Sequence, residues 1–331
     1  MRKVVIGIDV SKVTLDAYWV NAENLKEHYH DSFLNKLLGF KQLIEWVKSK
    51  GTDEVFYCIE NTGHYGRSLC SFLQKNSFDF AQVNAAEIKL SMGIKREKSD
   101  RSDALMIAHY GIKFPERMYT NTLLAEDLLG LQLLLSQRKL LQEKELAFQR
   151  SLKLSKHCLP SDQVARSLVK DNTRHRKYLH RERGKIESRI EDYVSSLPVV
   201  KSNCDLLKSI PGVGPIIALH TIVQTHNFKE ISCPRKFSCY CGVAPFKNES
   251  GTSIRKGTRV SFYGHKVLKR ILNFGAMNAV KCDPQLKVYY KRKVAEGKSK
   301  MSVLNAVRNK LIHRMFATVK RGTPYVVHEM H

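Results

Sequence analysis

Residues 3–11, KVVIGIDVS, hold a run of β-branched side chains interrupted by Gly7 and followed, near its end, by one acid, Asp9. Branched side chains favour strands, so the stretch predicts a buried first strand carrying a carboxylate at its exit. Working outward, TLDAYWVN (14–21) and KEHYHDSF (26–33) follow after short breaks and predict an antiparallel meander. A helix comes next over 39–49, where Phe40, Leu43, Ile44 and Val47 recur at helical spacing. DEVFYCIE (53–60) reads as a buried strand ending in Glu60, HYGRSLCSFLQKN (64–76) as a helix and FDFAQV (78–83) as a fifth strand. AAEIKLSMG and SDRSDALMIAHYG read as closing helices.

Three antiparallel strands, a helix, a strand, a helix, a strand and closing helices is the element order of the RNase H-like (RuvC-like) fold. The expected fold class is therefore α/β plus all-α, with residues 1–118 forming the α/β domain. Residues 119–200 predict a helical coiled-coil region. Leu124, Leu128, Leu131 and Leu135 follow 4,3,4 spacing, Leu141, Phe148 and Leu152 extend the stripe, and Ile186, Ile190, Tyr193 and Leu197 repeat it. CLPSD (158–162) supplies the break between two long helices, which gives an antiparallel hairpin. That hairpin is either a dimerising element or a spacer packed on its own protein. Residues 201–331 predict a small, mostly helical domain closed by an amphipathic helix with Leu304, Val307, Leu311 and Met315 on one face.

Charge is divided unevenly. Residues 1–150 carry 21 basic and 19 acidic side chains, whereas residues 151–331 carry 35 and 12, so nearly all of the net +25 lies in the second half. Such an excess points to a polyanionic partner. No apolar run approaches the roughly 20 residues that span a bilayer, and the first residues run straight into a strand, so a cytoplasmic protein without membrane contact is expected. The eight cysteines include no CxxC pair; only Cys239 and Cys241 stand close enough to invite a metal, and buried thiols are the alternative.

Against this basic background four acids stand out: Asp9 and Glu60 at predicted strand ends, and Asp100 with Asp103 at the start of a predicted helix. Carboxylates at adjacent strand ends point into one space, and hard oxygen ligands suit Mg²⁺. Asp100 and Asp103, three apart, face one side of their helix and could close such a site. Two Mg²⁺ ions about 4 Å apart would activate the attacking oxygen and stabilise the leaving one. Asp100 could instead cap its helix, IGID also opens actin-like ATPase domains, and Asp16 could replace Asp9 if the first strand were differently placed.

In the second half, PGVGP (211–215) resembles the turn of a helix-hairpin-helix, where Gly212 and Gly214 would let backbone amides approach a phosphate; a plain glycine turn between packed helices is the alternative. CGVAPFKNESGTSIRKGTRVS (241–261) reads as a basic loop in which Ser250 precedes Gly251. Arg255, Lys256 and Arg259 could hold phosphate oxygens there. On these residues alone Ser250 is a turn serine contacting phosphate, with Ser253 and Ser261 as rivals for any nucleophilic role and no base paired with it. Lys266, Lys269 and Arg270, in GHKVLKRIL, are further candidate nucleic-acid contacts.

Taken together, IGIDVSK, CIENTG, the K-x-D-x-x-D-A form of KSDRSDA, IPGVGP, the F-x-x-x-x-G-V-A-P form of FSCYCGVAP, ESGTSIRKG and GHKVLKRIL resemble, in order, the DEDD insertion-sequence transposases related to the Piv DNA invertases. Some members of that family are bridge-RNA-guided serine recombinases. The resemblance implies an RNase H-like domain joined through a coiled coil to a transposase domain. It further implies Asp9, Glu60, Asp100 and Asp103 as ligands of Mg²⁺, two ions, and Ser250 as the nucleophile that forms a covalent 5′-phosphoserine link with DNA. Implied partners are DNA, a guide RNA encoded by the element's flanks, and further copies of the chain in a dimer or tetramer, with subunit contacts on the Leu-rich hairpin and the acids and serine of one site coming from different protomers. The competing functions are a RuvC-like metal-dependent nuclease or junction resolvase with no covalent intermediate, and a non-catalytic nucleic-acid-binding protein.

Overall fold

The computed structural model describes residues 3–51, 54–61, 63, 65–92, 100–118, 124–158, 163–250, 254–260 and 264–327; the side chains of 100, 126, 156–158, 247–250 and 254–259 lie outside the description. The chain divides into two compact units, Met1–Leu123 and Leu124–His331.

The first unit is built on a five-stranded sheet of order β3-β2-β1-β4-β5. Its elements are β1 (Val4–Val10), β2 (Thr14–Asn21), β3 (His28–Leu34), α1 (Leu37–Lys48), β4 (Val55–Glu60), α2 (Arg67–Lys75), β5 (Phe80–Val83), α3 (Ala85–Met92) and α4 (Asp100–Lys113). β1, β2 and β3 pair antiparallel, and β4 and β5 add in parallel on the other side of β1. Side chains alternate across a pleated strand, so each strand feeds both faces. Val4, Ile6, Ile8, Tyr57 and Ile59 pack with Phe40, Leu43, Leu69 and Leu73 from α1 and α2. Val5, Tyr18, Phe56 and Cys58 pack with Ile88 of α3 and with Ala104, Ile107, Ala108 and Tyr110 of α4. A sheet buried on both faces accounts for the near-continuous apolar run of β1 and β4.

The second unit opens with α5 (Glu126–Cys158) and α6 (Gln163–Ser195), 33 residues each. They form an antiparallel hairpin whose pairing steps from Arg138 with Glu187 through Phe148 with His175 to Ser151 with Asn172. Leu128, Leu131, Leu135, Ile190 and Val194 bury the stripe that the spacing predicts, and Gly130 leaves room for the Tyr193 ring, whose Cζ would sit 2.8 Å from an added Cβ. Then come α7 (Pro198–Lys208), α8 (Pro215–Gln224), α9 (Pro234–Tyr240), β6 (Pro245–Ser250), β7 (Ile254–Val260), α10 (Lys266–Cys282), α11 (Pro284–Ala295) and α12 (Lys300–Arg321). One core joins the root of the hairpin to α7, α8, α10 and α12, and Val307, Leu311 and Met315 are fully buried in it with Leu304 at its edge. Among the described residues, no helix is long and apolar enough to cross a membrane.

The basic stretch 241–261 departs from the sequence expectation of a loop: its residues 245–250 and 254–260 are the two strands of a β-hairpin. β6 and β7 pair antiparallel from Pro245 with Val260 to Ser250 with Ile254, with an irregularity between Lys247 and Glu249. Asn, Glu, Ser, Gly and Lys have low strand propensity, so the strand pattern is invisible in local composition.

Candidate active site

β1 and β4 run parallel with Ile8 opposite Ile59, so Asp9 and Glu60, one residue further on, stand side by side at the end of that pairing, Asp9 still opposite Asp16 of β2 and Glu60 opposite Val83 of β5. Both follow the alternation of Val5–Gly7–Asp9 and Phe56–Cys58–Glu60, which puts them on the α4 face, and both are half-buried.

Gly7 decides where α4 lies. A Cβ there would overlap the Ala104 carbonyl and the Ala108 amide and come within 2.8 Å of the Ala108 Cα, so helix backbone rests directly on strand backbone. At the other end, a Cβ on Gly111 would meet Val5 Cγ1 at 2.9 Å and Cys58 Cβ at 3.3 Å. Gly7 meets Ala104 and Ala108 while Val5 meets Gly111, so α4 runs antiparallel to β1. Its first turn, with half-buried Asp103 and with Asp100 one turn earlier, thus overlies the end of the sheet where Asp9 and Glu60 emerge. The Arg101 guanidinium lies 6.0 Å from the Tyr18 ring centroid at the same end. The side chain of Asp100 lies outside the described residues. Among the described residues no three His, Cys, Asp or Glu side chains close on one point as a metal cluster would. The donor set, all hard carboxylate oxygen, suits a small divalent cation.

Asp16 is the acid that the sequence left as a substitute for Asp9. β1 takes the register read from its sequence, and Asp16 sits directly across from Asp9, on the same face, with His30 Nε2 3.3 Å from its Oδ1. Both Asp16 and His30 are mostly buried, a pair that sequence reasoning passed over. The alternation of β2, with Asp16, Tyr18 and Val20 on one face, was the available signal.

In the second unit, Ser250 is the last residue of β6, beside the hairpin tip; its side chain, like those of Arg255, Lys256 and Arg259, lies outside the described residues, as do Ser253 and Ser261 altogether. The base of this hairpin is fixed by two glycines. A Cβ on Gly264 would collide with the Gly242 Cα and lie 2.9 Å from the Cys241 carbonyl carbon, and Gly242 takes φ +65°. The His265 amide donates to the Tyr240 carbonyl at 2.8 Å across the same junction. His265 then caps α10, its Nδ1 accepting from the Leu268 amide at 3.2 Å, which requires the neutral ring with its proton on Nε2. Burial, with Lys139 nearby, holds His265 below the usual histidine range, and burial plus His265, Arg138 and Lys139 lowers His220 to about 4. These two neutral imidazoles carry no motif that would have marked them in the sequence.

The candidate phosphate contacts separate. Gly212 takes φ +91°, and a Cβ on it would lie 2.6 Å from both the Ala279 Cβ and the Gly275 carbonyl oxygen, so its glycine is accounted for by the close approach of α10. Gly214, at the N-cap of α8, faces open space. Lys266 and Arg270 are exposed on α10, with Lys269 half-buried between them, and Arg270 pairs with Glu143 at 3.7 Å.

A family described as Transposase IS116/IS110/IS902 family matches residues 204–291, and a DEDD transposase family of IS110 type, described as Transposase, matches residues 6–154. The pilin gene-inverting protein of Moraxella bovis is 27% identical over 340 residues, covering 98% of both chains, and that of Moraxella lacunata is 26% identical with the same coverage. The insertion element IS110 uncharacterized 43.6 kDa protein of Streptomyces coelicolor is 29% identical over 147 residues, 44% of this chain and 35% of that one. Asp9, Glu60, Asp100 and Asp103 fall within the first matched segment and Ser250 within the second, and on these matches the chain is similar to IS110-family transposases along both segments and is an enzyme of DNA recombination, a recombinase or transposase.

Proposed function

We propose that this enzyme cuts and rejoins DNA through a covalent phosphoserine, with Asp9, Glu60, Asp100 and Asp103 as the metal-holding set and Ser250 as the nucleophile. The observation that carries the acid assignment is the seating of α4 on Gly7, which brings the Asp103 end of that helix over the strand ends of Asp9 and Glu60. Asp9, Glu60, Asp100 and Asp103 would hold Mg²⁺, two ions in this reading, which would supply Lewis-acid stabilisation of the charge that develops on the scissile phosphate. The Ser250 Oγ attacks phosphorus, a 5′-phosphoserine bond forms, and the bond to the 3′-oxygen breaks; the serine proton passes, directly or through water, to the departing 3′-hydroxyl. Rejoining reverses the step with a new 3′-hydroxyl, so no external energy source is required. Arg255, Lys256 and Arg259 on β7, with Gly214, Lys266, Lys269 and Arg270, supply backbone amides or positive charge for phosphate.

The finer reading also includes guidance by an RNA encoded with the element, action as a dimer or tetramer, and the hairpin of 119–200 as a region distinct from the catalytic domain of 1–118 and the serine-bearing domain of 201–331. The decisive experiment incubates the purified chain with target DNA, the candidate guide RNA and Mg²⁺, denatures the mixture and looks for a protein-DNA adduct. The expected result is an adduct that disappears in Ser250→Ala; an adduct that persists in that variant overturns the serine assignment. The elements bearing all four acids belong to one compact unit, which favours a second reading, a metal-dependent nuclease using water; cleavage with no adduct in any variant would establish it.

A further inference from the structure

Charge is sorted along the α5–α6 hairpin. Its far half, residues 146–181, carries nine Lys and Arg against two Asp; its root, 124–145 with 182–197, carries six against eight acids. The root spends its charges internally. Arg138 and Arg183 both bond Glu187 at 2.8 Å, and Arg183 Nε reaches Glu145 at 3.0 Å, all at half-buried positions. Burial alone would raise the Glu145 pKa, but hydrogen bonds from Arg183 and His180 outweigh it and hold the carboxylate ionised. Among the described residues, the ion pair recorded in the far half is of another kind. Of its bases, Arg174 has Asp171 at 3.4 Å in an exposed pair, and exposed pairs contribute little.

Lys170, Arg174, Lys177 and Arg181 are all exposed and follow 4,3,4 spacing, so they share one face of α6 along about 16 Å of helix. Beside them lies a cavity of about 910 Å³ lined by these four, Arg176, His180, Thr173 and Glu145. The Nε of Arg176 is buried there with no hydrogen-bond partner among the described residues. A buried donor left unpaired costs about 1–3 kcal/mol, so this wall asks for an acceptor. The single acid, Glu145, is already engaged by Arg183 and His180. What fits is a row of anions spaced along a line, not one small ion.

We propose that the far half of the α5–α6 hairpin is a binding site for the phosphodiester backbone of a nucleic-acid duplex. The inference rests on the reading of this chain as an enzyme acting on nucleic acid and gives the hairpin a task beyond spacing or subunit contact. DNA and RNA present the same phosphate chemistry, and the test separates them. The full-length chain and the variant Lys170→Gln, Arg174→Gln, Lys177→Gln, Arg181→Gln are titrated with 30-base-pair DNA and RNA duplexes from 50 to 200 mM salt. Glutamine keeps helix propensity and removes only charge.

The variant is expected to bind at least about tenfold more weakly, and its plot of log K against log salt to be shallower by about 3, since each lost phosphate contact removes about 0.9. A loss confined to one duplex assigns the site to that nucleic acid; an equal loss assigns it to both. If the fourfold variant misfolds, judged by helical circular dichroism, Lys177→Gln with Arg181→Gln gives the same readout with a slope change of about 2. An unchanged affinity and slope overturns the inference and leaves the proposed function standing. A wild-type chain that binds neither duplex at 50 mM salt overturns both.

Discussion

Asp9 and Glu60 owe their position to a one-residue step: each follows the last paired residue of two parallel neighbours, Ile8 and Ile59. The pairing of β1 with β4 stops there while Asp9 stays opposite Asp16 and Glu60 opposite Val83, and alternation along each strand fixes the face that the carboxylates take. Replacing Asp9 by Asn, Glu60 by Gln or Asp103 by Asn removes one negative charge with little change in volume. Each is expected to lower strand cleavage on the order of 10²-fold or more while duplex affinity stays within about threefold, because the charge acts on the reacting phosphate and not on the bulk of the backbone. Gel-based cleavage and equilibrium binding on the same preparations check this, and a tenfold loss of affinity with folding intact would give the acid a different role.

At the level of elements, α4 and the β6–β7 hairpin are both held by the absence of side chains. Gly7 lets helix backbone sit on strand backbone, and backbone cannot give way as a flexible side chain can. Gly7→Ala is therefore expected to cost about 3 kcal/mol or more, the upper range for overpacking, and to move α4 and Asp103 away from the strand ends. Urea unfolding of the full chain should show the lost stability, and cleavage should fall with it; a variant as stable and as active as the parent would contradict the seating. The strands and helices of the first unit were legible because alternation and 3.6-residue spacing are strong there: the order β1 to β5 follows from the sequence alone. The four acids stand out in the sequence by their motifs, and their joint role is the one proposed above. The role of Gly7 was not, since a glycine in a strand says that something comes close without saying what. Nor was the β6–β7 hairpin, whose residues are poor strand formers, nor the turn at His226, Asn227 and Phe228, all with positive φ, which is held by the Thr225 hydroxyl and by Phe228 packing edge-on against Phe316.

For the whole molecule, acid should destabilise the fold through a group far from any acid cluster. His220 is lowered to about 4 by burial and then by His265, Arg138 and Lys139, whereas in the unfolded chain it titrates near 6.5. Between those values the unfolded chain binds the extra proton, so stability is complete above pH 6.5 and falls as pH drops toward 4. The effect is about 3.5 kcal/mol at most at 1.4 kcal/mol per pH unit. His265 and His226 shift in the same direction. His220→Gln should flatten part of this slope in thermal unfolding between pH 7 and 4.5; an unchanged pH profile would show that the ring is not desolvated as described. The partition of charge, net +2 in residues 1–150 and +23 beyond, is a second molecular property, and it governs attraction to polyanions rather than fold.

The equal length of α5 and α6 sets a ruler. Thirty-three residues of α-helix extend about 50 Å. Along B-form DNA, at 3.4 Å per step, that is about 15 base pairs, nearly one and a half turns. A rod of that length with its positive end at the tip sets the scale of any DNA footprint that reaches both its root and its tip.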